Sequence, residues 1–342
     1  MQPIISVTAP TPTSPKPNVH GRIYRTTTFF ADAALFDMDG TLTDSIAAVE
    51  AAWSKVAREI GEDPAFVIAA THGKRAIDNL ARFRPHLRAH ELSAAVDDFE
   101  RSILFYADAH SRARDSTPSL LSDATSSRGS TSSSSSSSSP SSGNPSTSSS
   151  LAASAAASTE QLVSSPQTEL AEELVAALSD AQGDGCRAWE LEAAEVDRAV
   201  RILPGVKALL ESIPKGRYAI ATSGARTYAH GCLARVGITP PEVTITADDP
   251  RLRAGKPAPD PFLLAAECLG YQASRCVVFE DSPSGIKAGV ASGAVVIAVC
   301  TSHSREQIEG CGAQIVVENL EDVSCEEVET DEGLRLMFTV EH

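Results

Sequence analysis

Apolar positions along the chain follow two different patterns. Near the N-terminus, Ala33-Ala34-Leu35-Phe36 form a continuous apolar run that reads as a buried strand. It ends abruptly in Asp37-Met38-Asp39-Gly40-Thr41-Leu42-Thr43-Asp44-Ser45. Ile46, Val49, Trp53, Val56 and Ile60 then recur at steps of 3, 4, 3 and 4, the stripe of an amphipathic helix, which stops at Gly61. Asp44 or Ser45 is placed to cap its start. A polar–apolar segment at 71–80 and a helix-like stretch from about Glu91 to Ala109 follow with no strand between them. They predict a helical insertion directly after the first strand.

After Pro204-Gly205 the pattern becomes an alternation of strands and helices, the mark of a parallel sheet. Candidate strands are Tyr218–Thr222, Val243–Thr246, Cys276–Phe279, Ala294–Val299 and Ile315–Val317. Candidate helices between them span about Ala225–Val236, Pro261–Leu269 and Ser284–Ala291, with Asp260 and Pro261 as cap and first helical residue. The first strand, far away in sequence, must rejoin this sheet. The stretch Glu318–Glu332 holds eight acids and no base, and reads as a solvated face.

Two segments stand outside these patterns. Residues 1–30 are rich in Pro and Thr and read as a flexible arm. From 115 to 166 the composition collapses into Ser, Thr, Ala and Pro, with eight consecutive serines at Ser132–Ser139. Such a tract cannot bury enough apolar surface to offset its ordering entropy, so it is expected to be a disordered surface-loop insertion. Helical periodicity returns at Glu169–Leu178 and near Ala188–Val200.

Composition narrows the function classes. The net charge of −16 shows no basic footprint for nucleic acid. The longest apolar runs are too short to cross a bilayer. Seven scattered cysteines without a Cys-x-x-Cys pair fit free thiols in a reducing compartment. Asp32 is the first acid, with Lys16, Arg22 and Arg25 before it, which leaves a transit segment open. The expectation is a cytoplasmic monomer with no nucleic-acid or membrane partner.

The chemistry gathers at strand ends. Carboxylates at the mouth of a buried strand are costly unless something pairs with them, and ligands of open α/β sheets sit outside these ends. The first strand delivers Asp37 and Asp39, and the strand at Tyr218 ends in Thr222-Ser223-Gly224. A later loop carries Gly255-Lys256-Pro257, and the strand at Cys276 ends in Glu280-Asp281. If the strands are parallel, all four tips share one edge. Several carboxylates with no cysteine or histidine nearby favour a hard cation such as Mg²⁺. A hydroxyl, exposed amides and one lysine suit a phosphoryl group. One carboxylate can act as nucleophile and form an aspartyl-phosphate, and its neighbour two residues on can act as general acid and then base.

These four motifs in order resemble those of the haloacid dehalogenase-like (HAD) hydrolase superfamily. The resemblance implies an α/β fold: a doubly wound, Rossmann-like parallel-sheet core with an inserted α-helical cap. The core would span 31–45 and 201–342, and the cap 46–200 would carry the 115–166 tract. Residue by residue, it implies Asp37 as nucleophile and Asp39 as general acid/base, with Thr222 holding the phosphoryl oxygens and Lys256 steadying its charge. Mg²⁺ would take the Asp37 carboxylate, the Asp39 carbonyl and Asp281, with Glu280 beside it or bound through water. Ser223 and Gly224 would add contacts to substrate. The cap stretch Thr71-His72-Gly73-Lys74-Arg75-Ala76-Ile77-Asp78, with Arg82-Phe83-Arg84-Pro85, Ile245–Asp249 and the C-terminal 330–338, is similar to fungal glycerol-3-phosphate and 2-deoxyglucose-6-phosphate phosphatases. His72 and Arg75 then become substrate-contact candidates, with an Arg75–Asp78 ion pair as the structural alternative.

The reading is therefore an Mg²⁺-dependent phosphatase of a small-molecule phosphate ester, a polyol or sugar phosphate. A phosphosugar mutase of the same superfamily, or a non-enzymatic interaction protein using the Ser-rich tract, are the alternatives.

Overall fold

In a computed structural model of the chain, residues 25–115 and 188–342 are described, with backbone pairs at 11–12, 16–17 and 23–24. Most of the Ser-rich tract, the periodicity at Glu169–Leu178 and nearly all of the N-terminal arm lie outside the described residues. In chain order come strands β1 (Thr26–Ala31), β2 (Ala33–Phe36) and β3 (Thr43–Asp44), then helices α1 (Ile46–Ile60), α2 (Pro64–Thr71), α3 (Ala76–Phe83) and α4 (Ala89–Asp115). After α5 (Ala188–Glu195) and β4 (Arg201–Ile202), the alternating half runs α6 (Val206–Ser212), β5 (Tyr218–Ala221), α7 (Arg226–Arg235), β6 (Thr244–Ile245) and α8 (Asp260–Leu269). It continues with β7 (Cys276–Glu280), α9 (Pro283–Ala291), β8 (Val295–Val299), α10 (Arg305–Ile308) and β9 (Ile315–Val317), and closes with β10 (Val323–Thr330) and β11 (Gly333–Glu341).

The main sheet has six strands in the order β9-β8-β7-β2-β5-β6, and its pairings are all parallel. The first strand therefore does rejoin the distant half, at the sheet's centre, between β7 and β5. Its apolar continuity follows from that position, because a parallel sheet covered on both faces buries alternate side chains in two different layers. Ala34 and Phe36 enter one core and Ala33 and Leu35 the other, and all four are buried. Because these pairings are parallel, β2, β5 and β7 direct their C-terminal ends to one edge, and the strand order switches at β2.

Several expectations change or gain detail. Thr26–Ala31 belongs not to a loose arm but to a strand, paired with β11 from Leu336↔Ala31 to Glu341↔Thr26. The acidic stretch before Gly333 is also a strand, antiparallel to β11. Val323 and Cys325 at its start are buried, while Glu326, Glu327 and Glu329 farther along are exposed, so the acids are solvated as expected, on a strand of a small second sheet. Aromatic contacts join that sheet to the main one: Phe36 stacks on Phe279 at 4.6 Å, Phe279 meets Phe338 at 5.9 Å, and Phe338 meets Phe29 at 5.7 Å. In the helical insert, α2 precedes the expected polar–apolar segment. Its first turn is capped by Asp63, whose carboxylate accepts from the Ala65 amide at 3.2 Å, with Pro64 as first residue. Ser45 stands at the N-cap of α1 but makes no side-chain cap bond, and neither does Pro259 before α8, whose helix already includes Asp260.

Among the described residues no helix is long and apolar enough to cross a membrane, and the six described cysteines are free thiols.

Candidate active site

The turn after β2 brings the first two acids out of the sheet. The Met38 carbonyl accepts from the amides of Thr41, Leu42 and Thr43, and Gly40 has a φ of +83°. A Cβ on Gly40 would lie 2.2 Å from Asp281 Oδ2, so only glycine lets this turn pass against the end of β7. Thr41 Oγ1 then donates to Asp281 Oδ1 at 3.0 Å. Segments 240 residues apart are thereby stitched at the switch point.

Asp37, Lys256 and Glu280 form a buried chain. The Lys256 ammonium donates to Asp37 Oδ1 and, at 2.7 Å, to Glu280 Oε1. Glu280 Oε2 accepts from the amides of Asp281 and Ser282 at 2.9 and 3.0 Å, and from the Ser282 hydroxyl at 3.1 Å. Both oxygens of Glu280 are thus engaged in holding Lys256 and the loop after β7. Burial opposes charge on Lys256, yet Asp37 and Glu280 outweigh it and hold the ammonium above its ordinary range. Burial pushes the Asp37 carboxyl well up, Lys256 opposes this, and the charges of Glu280, Asp281 and Asp39 add to it. Asp281 is raised in the same way, by burial and then by Glu280.

Asp39 has different company. Its Oδ1 accepts from Ser45 Oγ and from Tyr228 Oη on α7, each at 2.5 Å, while Thr222 Oγ1 stands 3.5 Å from Oδ2. Burial raises its pKa, and these hydroxyl donors work against the rise. Ser45, read as a helix cap, spends its side chain on this carboxylate instead. Thr222 also accepts from the Gly224 amide at 3.1 Å, which ties the β5 tip together.

A cavity lies between this edge and the helical insert. Asp37, Asp39, Ser223 and Gly224 line it from the sheet edge, and His72 after α2, Trp53 on α1 and Phe99, Glu100 and Ile103 on α4 from the insert. Trp53 packs on Phe99 at 4.1 Å and is buried, so the core residue of the sequence reading also walls the cavity. Glu100 accepts from the Ala225 amide at 2.7 Å, which joins α4 to the start of α7. Burial lifts its carboxyl to about 7, against the pull of that amide. The loop between α2 and α3 is held to the β5 tip by Ser223 Oγ, which donates to the Gly73 carbonyl at 3.1 Å.

Arg75 is not in the cavity lining. Its guanidinium donates to both oxygens of Asp78, at 2.8 and 3.1 Å, so the ion-pair alternative describes its position. The expectation of no histidine near the carboxylates is overturned. His72 and His303 come face to edge with ring centroids 4.4 Å apart, beside Asp281. Burial, then His303, lowers the His72 pKa to about 4, and burial lowers that of His303. Tyr228, Glu100, Ser302 and His303 were missed in the sequence. Ser302 alone left a trace, as a polar residue just past a strand end.

The acids fit a divalent cation. One oxygen each of Asp37, Glu280 and Asp281 lie within 4.8 Å of one another, all three residues buried. With Asp39 beside them they outnumber the single ammonium, and an all-oxygen set of this kind suits Mg²⁺.

The family model of the haloacid dehalogenase-like hydrolases matches residues 31–293. The chain belongs to this family. Hexitol phosphatase A of Escherichia coli strain K12 is 29% identical over 267 residues, 78% of this chain and 81% of that enzyme. The Saccharomyces cerevisiae 2-deoxyglucose-6-phosphate phosphatase 1 is 27% identical over 305 residues, 86% of this chain and 91% of that enzyme. Glycerol-1-phosphate phosphohydrolase 2 of the same yeast is 38% identical over 136 residues, 38% of this chain and 52% of that enzyme. The narrower likeness read from the cap motif and the C-terminal segment thus holds, with glycerol 1-phosphate in the relative's name where glycerol 3-phosphate was expected.

Proposed function

We propose that the protein is an Mg²⁺-dependent phosphatase of small polyol or sugar phosphates, working through an aspartyl-phosphate on Asp37. The observation that carries this reading is the contrast between two aspartates of one turn. Asp37 is bound directly by an ammonium, whereas Asp39 is bound by neutral hydroxyls; burial raises both carboxyls, so the difference lies in their partners. Paired carboxyls in opposed environments mark a nucleophile beside a general acid.

Asp37 attacks phosphorus, the ester bond breaks, and the leaving alkoxide takes its proton from Asp39. A water molecule then attacks the phosphoryl group, gives its proton to the Asp39 carboxylate, and phosphate leaves with Asp37 restored. Lys256 holds Asp37 in line, and Thr222 with the amides at Ser223 and Gly224 orients the phosphoryl oxygens. Asp37, Asp281 and the Asp39 carbonyl would hold Mg²⁺, with Glu280 keeping Lys256 and the β7 loop in place. When bound, the ion neutralises charge on the phosphoryl oxygens.

The helical insert acts as the cap. Its wall offers Trp53, Phe99 and Ile103 to carbon and Glu50 and Glu100 to hydroxyls, a mixture suited to a short polyol or a sugar. The relatives, named for a hexitol, for 2-deoxyglucose 6-phosphate and for glycerol 1-phosphate, support the same class.

Phosphate release from glycerol 1-phosphate, glycerol 3-phosphate, 2-deoxyglucose 6-phosphate and phosphoglycolate tests the reading. Wild type should release phosphate from at least one of these with Mg²⁺ and no bisphosphate activator, and chelation should stop it reversibly. Asp37→Asn, with an unchanged fold by circular dichroism, should lose about a thousandfold or more. Substantial turnover by that variant would refute the nucleophile, and release only with a bisphosphate activator would favour the mutase.

A further inference from the structure

His72, His303 and Asp281 stand outside the reaction described above, except that Asp281 is shared with the oxygen ligand set. One ring nitrogen of each histidine and one carboxylate oxygen of Asp281 lie within 4.8 Å of one another. His72 ends α2 in the helical insert, and His303 follows β8 in the sheet domain. Neither position is loose. The His72 amide bonds to the Ile68 carbonyl at 3.2 Å, and the next carbonyl, that of Gly73, is held by Ser223. Gly73 has a φ of +70°, and a Cβ there would lie 2.4 Å from Ser282 Oγ, so the loop sits directly on the core. On the other side, Ser302 Oγ donates to Asp281 and stands 2.8 Å from His303 Nδ1, tying that histidine to the carboxylate.

We propose that His72, His303 and Asp281 form a second divalent-metal site, spanning the helical insert and the sheet domain, that selects an imidazole-preferring ion such as Zn²⁺ over Mg²⁺. Two nitrogens and one oxygen are a donor set that Zn²⁺ takes with a position left open, whereas Mg²⁺ keeps to oxygen. Tetrahedral ligands at Zn²⁺ distances are about 3.4 Å apart. The observed separations, all within 4.8 Å, are close to that spacing.

Two consequences follow from the placement. Asp281 cannot serve both ions fully, so Zn²⁺ at the histidines withdraws a ligand from the oxygen site and inhibits. Because His72 comes from the helical insert and His303 and Asp281 from the loops after β8 and β7, the bound ion also clamps the insert to the sheet and slows exchange of substrate and product.

Calorimetric titration of the full-length protein with Zn²⁺ at saturating Mg²⁺ tests the site. Wild type should bind Zn²⁺, and His72→Gln and His303→Gln should each weaken that binding at least tenfold. In the wild-type protein the ¹⁵N resonances of both imidazoles should move on adding Zn²⁺, a reading that needs no variant to fold. Zn²⁺ should inhibit Mg²⁺-supported phosphate release, and His303→Gln should need at least tenfold more Zn²⁺ for the same inhibition. Equal Zn²⁺ affinity in wild type and both variants, or ring resonances that stay still, overturns the proposal. Binding and resonance shifts are independent of turnover, so they stand or fall separately from the phosphatase reading.

Discussion

Glu100 is a carboxylate buried without a cation, 5% exposed, and its pKa of about 7 records that burial. An acid whose folded pKa lies above its unfolded value, 4.5 here, binds a proton more readily in the native state. Its contribution to stability is full below the unfolded value and is lost as pH rises through about 7. Glu100→Gln keeps a carbonyl for the Ala225 amide and removes the ionisation. The variant should therefore gain stability relative to wild type between pH 4.5 and 7, with the difference level above that. Melting curves at pH 4.5, 6 and 8 check this, and a difference independent of pH would contradict it. Which residues were legible follows the same logic of context. Asp37, Asp39, Thr222 and Asp281 could be read because each sits at or just past a strand end, where position in the sequence fixes position in space, and Lys256, in the loop after β6, was legible from its place among the ordered motifs. Glu100 and Tyr228 lie within helices, and their meeting with the site depends on where α4 and α7 pack. His303 looked like a loop residue, since its partner His72 is 231 positions away. Ser45 had the right place for a cap and a better partner in Asp39.

Elements were legible where one hydrophobic period dominated. The five strands of the alternating half and the stripe of α1 carry clean patterns, and the structure differs there by a residue or two at the ends. The hairpin β10–β11 was not, because only Val323 and Cys325 of β10 are buried, and the exposed Glu326, Glu327 and Glu329 beyond them fall on both faces and leave no sustained period of two. Its energetic weight lies in β11, where Leu336, Phe338 and Val340 alternate as buried residues with 0% exposure. Phe338 touches both Phe29 and Phe279, so it is the bolt between the two sheets. Truncating a buried phenylalanine removes its transfer energy and leaves a cavity, a loss of about 3–5 kcal/mol. Phe338→Ala should therefore lower the urea midpoint in proportion while leaving the acids at the β2 and β7 tips in place. A loss under about 1 kcal/mol would mean that the small sheet is an ornament rather than part of the core.

At the scale of the whole molecule, the described site residues all come from outside the Ser-rich tract, which falls within the helical insert in sequence. The ends flanking it are anchored to each other: Trp189 on α5 meets Phe105 and Tyr106 on α4, with ring centroids 4.9 and 5.4 Å apart. The chain thus departs from α4 and returns to it. What joins the two helices has to span the distance and little more, since halving a connection's length changes its closure entropy by only about 0.6 kcal/mol. Deleting 116–166 leaves 21 residues, 167–187, to make the connection. At roughly 3.3 Å per extended residue they reach far more than the about 15 Å from the Phe105 turn of α4 to its end. Shortening the connection from 72 to 21 residues eases closure by about 1 kcal/mol, so the deletion should keep Mg²⁺-supported phosphate release within about twofold and should not lower the urea midpoint. Should turnover collapse while the fold survives, the tract would be part of the catalytic cycle, and the separation of chemistry from insertion would be wrong.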